Sequence, residues 1–514
     1  LKPGDLTELK QLFEHATTFG SLIQVPEGLA TKLPGLKQLS EATNQDLFVS
    51  EALKRMGPLV RQAEMLESKY DAVVANPPYM GSKGMNTSVK KFAKDHFPRS
   101  KSDLFAVSTE RFLGLANPTG FVGLMTPFTW MFLKSYEALR SSLLETTTLH
   151  SLIQPEYHAF FDSAYVPVCT FTVQNLYTSG YRAAFIDLGD FYGADLQPKK
   201  ASEAIDDPAC DWLYWVEPDE FRKIPGSPVA YYTPGTLRDT FASAPPLDSI
   251  SFPKQGLATT DNDRFLRQWF ELPLAAIGMT LESGLAAANS GLTWFPYNKG
   301  GPFRKWYGNI DYVVNWRNDG EEIKENIIRK YPYLNGNPGF VAKNPQYYFR
   351  AGITWSALTS GGISLRMNGP GFVFDTKGQM LFTDDEELLF VIMSLLNSAV
   401  VAICTKALAP TLDYNSGTIA KIPFASLKRE SDSLEVAALS RQAREIAKVD
   451  WNAYERSWDF QSLPLLTAFT DPTPTLESSY TAWITQNRET IAEMKRLEEE
   501  NNRLFIDAYG LADE

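Results

Sequence analysis

Apolar and polar positions along the 514-residue chain change their rhythm twice. Up to about residue 190, short apolar runs alternate with stretches of helical period. The alternation then gives way to Trp-, Tyr-, Pro- and Gly-rich sequence, and helical period returns from about Leu427. Residues Leu1 to about Leu66 read as helices broken by Pro26 and Pro34, with a candidate strand at Gly20-Ser-Leu-Ile-Gln-Val25. Tyr70-Asp-Ala-Val-Val-Ala75 has the β-branched density of a buried parallel strand and stops at Asn76-Pro77-Pro78-Tyr79. Beyond the loop predicted by Gly81 and Gly84 come a helix over Leu104–Leu115, a turn at Asn117-Pro-Thr-Gly120 and a strand over Phe121–Met125. A helix from Trp130 to about Leu144 precedes strands at Leu149–Gln154, Val168–Gln174 and Tyr181–Asp187. Strands alternating with helices predict a parallel or mixed α/β sheet. The last helical stretch ends with Ile491–Phe505, and no internal repeat appears.

Composition narrows the class. A hydrophobic content of 44% with 13% aromatics belongs to ordered globular structure, and the length allows two or three domains. A net charge of −12 argues against a polybasic coat or membrane binder, leaving room for a local basic cleft. Cys169, Cys210 and Cys404 are too few and too far apart for a zinc knuckle or disulfide framework, which fits a reducing cytoplasm. The four histidines, His15, His96, His150 and His158, form no metal-spacing pair, so no metal site is expected; His96 remains a candidate DNA contact. No apolar run is long enough to span a bilayer, so no membrane partner is expected. A first residue of Leu1 and the abrupt end at Asp513-Glu514 suggest an internal piece of a longer polypeptide.

The sharpest chemical signal is Asp71-Ala-Val-Val-Ala-Asn-Pro-Pro-Tyr79, a strand that delivers an amide, two prolines and an aromatic ring at its carboxyl end. Methylating an exocyclic amine is difficult because the lone pair is delocalised into the ring. Two fixed acceptors, the side-chain oxygen of Asn76 and the carbonyl of Pro77, would draw an adenine N6 toward tetrahedral geometry. The prolines hold those acceptors in place before the base arrives. Tyr79 can stack on an adenine extruded from the duplex. The competing reading of Asn76, Pro77, Pro78 and Tyr79 is a rigid turn after a strand.

Here the sequence resembles the amino-methyltransferases whose fourth motif is Asn/Asp-Pro-Pro-Tyr/Phe. Lys101-Ser-Asp-Leu-Phe105 and Gly120-Phe-Val-Gly-Leu-Met-Thr-Pro127 match the fifth and sixth motifs in order and spacing, and Phe160–Thr170 sits where the eighth would lie. A closer resemblance, to the adenine methyltransferases of BREX (bacteriophage exclusion) systems, is carried by Asn76–Ser82, Lys101–Phe105, Phe349-Arg-Ala-Gly-Ile-Thr-Trp355 and Asn502–Leu511. It implies site-specific adenine-N6 methylation of host DNA with S-adenosylmethionine (SAM) as donor, double-stranded DNA with a flipped adenine as substrate, and other BREX proteins as partners. The family's glycine-rich SAM motif should precede Leu1, so the cofactor site is expected to be incomplete in this chain. Asp103 and Phe105 are candidate pocket residues near the cofactor or flipped base, Asp103 equally a helix N-cap. Thr126-Pro127 is either a contact or a plain strand end.

Residues 299–350 hold nine Lys/Arg against five Asp/Glu, interleaved with Trp306, Tyr307, Trp316, Tyr347 and Tyr348. Arg304, Lys305, Trp306 and Arg350 are the candidate DNA contacts; the competing reading is a solvated basic face over an aromatic core. Thr411–Pro423 resembles the segment that closes recognition domains in fused methyltransferases. The expected fold is thus α/β: a partial Rossmann-like SAM methyltransferase sheet over residues 1–190, a mixed α+β target-recognition domain over 191–426 and a helical tail over 427–514. Two alternatives are a DNA-recognition module without its own catalysis and a protein-glutamine methyltransferase, which also methylates a planar amide nitrogen.

Overall fold

The computed structural model describes residues 2–42, 46–159, 167–359, 361–410, 413–469 and 473–512. They form two compact units, Leu1–Tyr232 and Thr233–Glu514. Together they are mixed α/β, with several sheets and a helical C-terminal part.

The first unit opens with helices, the longest being α1 (Leu47–Glu67), capped by Asp46, whose carboxylate accepts the N–H groups of Phe48 and Val49. Leu9, Leu29, Leu36, Val60 and Ala63 close a small core there. Then follow β1 (Tyr70–Ala75), α2 (Thr87–His96), α3 (Leu104–Leu115), β2 (Ala116–Pro127), α4 (Glu137–Thr146), β3 (Thr148–Gln154), β4 (Val168–Gln174), β5 (Ala183–Asp187) and β6 (Leu213–Val216). The strands make one mixed sheet in the order β1-β2-β4-β3-β5-β6. β1 runs parallel to β2, with Val73 opposite Val122 and Ala75 opposite Leu124, whereas β2 and β3 flank β4 antiparallel. Phe105, Leu124, Leu152, Phe171 and Phe185 fill the core beside this sheet. The outer edge of β1 has no strand partner among the described residues, and Val74 on it is 84% exposed.

Three local expectations fail for identifiable reasons. Gly20–Leu22 is a 3₁₀ turn instead of a strand, because Arg111 takes the carbonyls of Ser21 and Ile23 that a strand neighbour would have used. Asn117–Gly120 is not a free turn but the irregular start of β2, where the register shifts between Tyr70 and Ala72. A Cβ on Gly120 would lie 2.8 Å from the Tyr70 carbonyl oxygen, so this approach requires glycine. The helix expected from Trp130 starts only at Glu137, because Arg140 binds the carbonyls of Trp130 and Leu133 that a longer helix would have paired internally. Residues 160–166 of the stretch matched to the eighth motif, and residues 411–412, lie outside the described residues.

The second unit holds two four-stranded sheets. Its strands are β7 (Phe252–Lys254), β8 (Leu266–Gln268), β9 (Trp294–Asn298), β10 (Tyr312–Asn315), β11 (Gly352–Ser356), β12 (Leu365–Asn368), β13 (Val373–Phe374) and β14 (Gly378–Phe382), ordered β13-β9-β10-β8 and β12-β11-β14-β7. Helices α5 (Glu386–Leu396), α6 (Ala399–Leu408), α7 (Glu430–Asn452) and α8 (Leu476–Ala508) follow. Asn501 and Asn502 of α8 hydrogen-bond Ser394 and Ala399, fixing its buried second half. No single helix among the described residues is long and apolar enough to cross a membrane, and the apolar pair α5–α6, bent by 75°, packs most of its residues inside the unit.

Candidate active site

β1 ends at the motif. Asn76 emerges exposed from the carboxyl end of the strand, Pro77 is buried, and Pro78 and Tyr79 face solvent. The Tyr79 hydroxyl lies 3.0 Å from Asn76 Oδ1 and 3.3 Å from the Met125 carbonyl, so one proton is shared between two acceptors. Burial, and secondarily the neighbouring Cys169, raises the Tyr79 phenol above its ordinary value, which keeps it a donor at neutral pH. Its ring stands edge-on to Phe105, centroids 6.3 Å apart.

The loop after Tyr79 is clasped to the start of α3. One oxygen of Asp103 accepts the N–H of Met80 at 2.9 Å and that of Phe105 at 3.2 Å. The Leu104 N–H bonds the Met80 carbonyl at 3.1 Å, and the Ser82 N–H bonds the Ser102 carbonyl at 2.9 Å. Asp103 is therefore the N-cap of α3 and the anchor of the catalytic-loop candidate at once; burial raises its carboxyl pKa while these N–H groups lower it, with a net rise. Phe105 is 1% exposed, wedged between Tyr79 and Tyr136, whose ring centroid is 5.3 Å away. The segment carrying Tyr136 is held by Arg140, itself 1% exposed, which donates to Trp130, Leu133 and Gly226 carbonyls; burial lowers its pKa to about 10. Thr126 is fully buried against Cys169 and faces no cleft. The supports at Arg111 and Arg140 were not visible in the sequence, where each is one arginine in a helix.

These residues do not make a SAM site by themselves. Phe105 is sealed in the core, one oxygen of the Asp103 carboxylate is taken by backbone N–H groups, and no glycine-rich loop follows a strand ahead of β1 among the described residues. Among the described residues no group of three His, Cys, Asp or Glu is placed to hold a metal ion.

The expected DNA contacts fall in two classes. Arg304 bonds Asp450 and the Tyr307 carbonyl and lies over Trp451; Lys305 and Trp306 both bond Glu498, at 3.3 and 2.7 Å. These three fasten the sheet region to α7 and α8, and Trp306 is only 3% exposed. Trp316, Tyr348 and Trp355 are likewise buried, as in the aromatic-core reading. Arg350 has the most exposed side chain of the four, 38% against 30% for Arg304 and 24% for Lys305, and its guanidinium lies 2.7 Å from an exposed Asp384.

Residues 11–161 match the Eco57I restriction-modification methylase family. Over 99% of its length the chain is 36% identical to "Adenine-specific methyltransferase PglX" of Lacticaseibacillus casei (strain Zhang), covering 42% of that protein. The chain is thus similar to a PglX methyltransferase along nearly all of its own length. It is also 35% identical, over 88% of its length, to "Adenine-specific methyltransferase BrxX" of Escherichia coli O9:H4 (strain HS), covering 36% of it. The chain thus spans less than half the length of these curated relatives. Among solved structures, the Type IIL restriction-modification enzyme MmeI in complex with DNA shares the fold over 88% of this chain and 55% of its own, with a TM-score of 0.53 at 11% identity.

Proposed function

We propose that this chain supplies the target-base pocket and the DNA-recognition region of a site-specific adenine-N6 DNA methyltransferase that uses SAM and marks host DNA in a BREX phage-defence system, beside other BREX proteins. The observation that carries the reading is the exposed Asn76 carboxamide at the carboxyl end of β1, held in a clasped loop beside the half-open Tyr79 ring. Kinship with PglX and BrxX supports it. SAM supplies an activated methyl group when bound.

What these residues do follows from their geometry. The carboxamide oxygen of Asn76 and the carbonyl of Pro77 accept the two N6 hydrogens of an extruded adenine, localising the nitrogen lone pair. The Tyr79 hydroxyl bond to Asn76 does not compete with this, since an amide oxygen has two lone pairs. Instead it fixes the direction of the carboxamide. The Tyr79 ring stacks on the base, contributing roughly 1–3 kcal/mol toward the cost of extrusion.

The first unit is, in this reading, the carboxyl half of a Rossmann-like methyltransferase sheet. The bare apolar edge of β1 supports it: an unprotected edge in a stable protein is normally covered or paired, and a parallel strand from a SAM-binding half outside these residues fits there. Because β6 pairs with β5 in the first sheet, beyond the boundary at 190 expected from the sequence, target recognition is assigned to residues 233–426 and the helical tail to 427–514. Arg350 is the proposed DNA contact among the four expected cations and aromatics, because a surface pair such as Arg350–Asp384 is worth only about 0–1 kcal/mol and yields to a phosphate. Arg304, Lys305 and Trp306 serve by holding the recognition surface in shape.

The test is single-molecule methylome sequencing of host DNA with the full-length gene, without it, and with Asn76→Ala. N6-methyladenine at one short motif with the wild-type gene alone is expected, while purified Asn76→Ala protein still binds duplex. Normal methylation by Asn76→Ala would end the assignment.

A further inference from the structure

Cations in the second unit are largely spoken for: Lys299 pairs with Asp375, Arg304 with Asp450, Lys305 with Glu498 and Lys324 with Asp319. The first unit contains the opposite case. Between residues 83 and 101 the sequence carries six Lys/Arg and a single acid, Asp95. Lys83, Lys90, Lys91, Lys94 and Lys101 are all exposed, and none has an ion pair or side-chain hydrogen bond among the described residues. Only Arg99 is engaged, by Ser142 at 2.8 Å and Glu110 at 3.9 Å.

Packing decides where these lysines point. Val89 and Ala93 of α2 are buried, Ala93 in a cluster with Phe97, Leu22 and Val107, and Phe92 stacks on Phe19 at 4.3 Å. With that face committed, Lys90, Lys91 and Lys94 share the outer one. Like charges at i and i+4 on a helix repel. A cluster of unpaired lysines in a chain of net charge −12 is thus an uncompensated local feature whose natural complement is a polyanion.

Its place is set by the clasp. Both ends of the 83–101 segment are tied to the Asn76–Tyr79 loop, through Met80 with Asp103 and Ser82 with Ser102. Lys83 is four residues beyond Tyr79, so its Cα lies within about 14 Å of that of Tyr79. We propose that Lys83, Lys90, Lys91, Lys94 and Lys101 form a phosphate clamp that grips the DNA backbone flanking the extruded adenine. The clamp rests on the methyltransferase reading above and adds to it a second DNA-binding surface, separate from the recognition region. It holds the strand without reading sequence, because an ammonium group on a phosphate carries no base information.

The experiment uses the full-length protein with the triple substitution Lys90→Gln, Lys91→Gln, Lys94→Gln, and a second triple with arginine at the same positions. Binding to one duplex carrying the methylated motif and one lacking it is measured across a salt series. For three phosphate contacts the log–log salt slope should flatten by about 2.7, and affinity at 0.15 M salt should fall about 100-fold, equally on both duplexes. The arginine triple should bind like wild type, which separates charge loss from misfolding. A glutamine triple with wild-type slope and affinity, in protein that still methylates DNA, overturns the clamp and leaves the methyltransferase reading standing. Wild-type protein that neither binds nor methylates DNA overturns both.

Discussion

The proposed function gives Tyr79 two separable tasks, and two substitutions pull them apart. Its hydroxyl lies 3.0 Å from Asn76 Oδ1 in a half-open site, so Tyr79→Phe removes one neutral hydrogen bond worth about 0.5–1.5 kcal/mol and leaves the ring in place. At about 1.36 kcal/mol per decade, kcat should fall roughly 2- to 12-fold while KM for DNA stays near its wild-type value. Tyr79→Ala also removes the stacking platform, about 1–3 kcal/mol more, a further loss of roughly 5- to 150-fold in kcat/KM. The assay is single- and multiple-turnover methyl transfer by the full-length enzyme to a duplex carrying its motif. A phenylalanine variant slower by more than 100-fold would mean that the hydroxyl takes part in the chemistry, not merely in aiming Asn76. An alanine variant equal to phenylalanine would mean that the ring does not hold the base. Either result refutes the division of labour.

Two supports of the site have outcomes of their own. Arg111 is 7% exposed and donates to the carbonyls of Ser21, Ile23 and Leu66 at 3.0, 2.9 and 2.8 Å. Arg111→Met should cost about 3 kcal/mol, read by urea unfolding, and a loss below about 0.5 kcal/mol would show that the staple is not holding the helical segment. Asp103 has a folded carboxyl pKa above the ordinary 3.8, so between those values the folded state binds more protons and its stability falls as pH rises. Asp103→Asn keeps a capping acceptor that cannot ionise. The stability of wild type relative to that variant should therefore decline as pH is raised through this window and level off above it. A wild-type protein that gains on the variant with rising pH contradicts the burial argument.

What the sequence disclosed was local. The ends of β1 and of α3 are read correctly because Asn-Pro-Pro stops the one and Asp103 caps the other. The failures come from side chains overriding local pattern: Arg111 captures carbonyls 88 and 90 positions away, and Arg140 takes the carbonyls of Trp130 and Leu133, ten and seven positions before it, where periodicity alone would start a helix. The proposed recognition region shows the same limit. Composition reports that residues 299–350 are basic and aromatic, but the carboxylates that engage Arg304 and Trp306 lie 146 and 192 positions away, in helices whose pattern names no partner. The lysines of α2 are the reverse case, a dense local charge run plain in the sequence. Their lack of counter-charges is what required three dimensions.

The clasp between Met80 and Asp103 also bears on how such an enzyme can change over time. Because the loop and the first turn of α3 are joined at their base, the excursion from Gly81 to Ser102 leaves and re-enters the structure at one point. Charge on the outer face of α2 can drift by replacement without displacing Asn76, while Val89, Ala93 and Phe97 keep the helix on the core. On the proposed reading, the hold on the DNA backbone can therefore change while the loop that receives the base stays fixed.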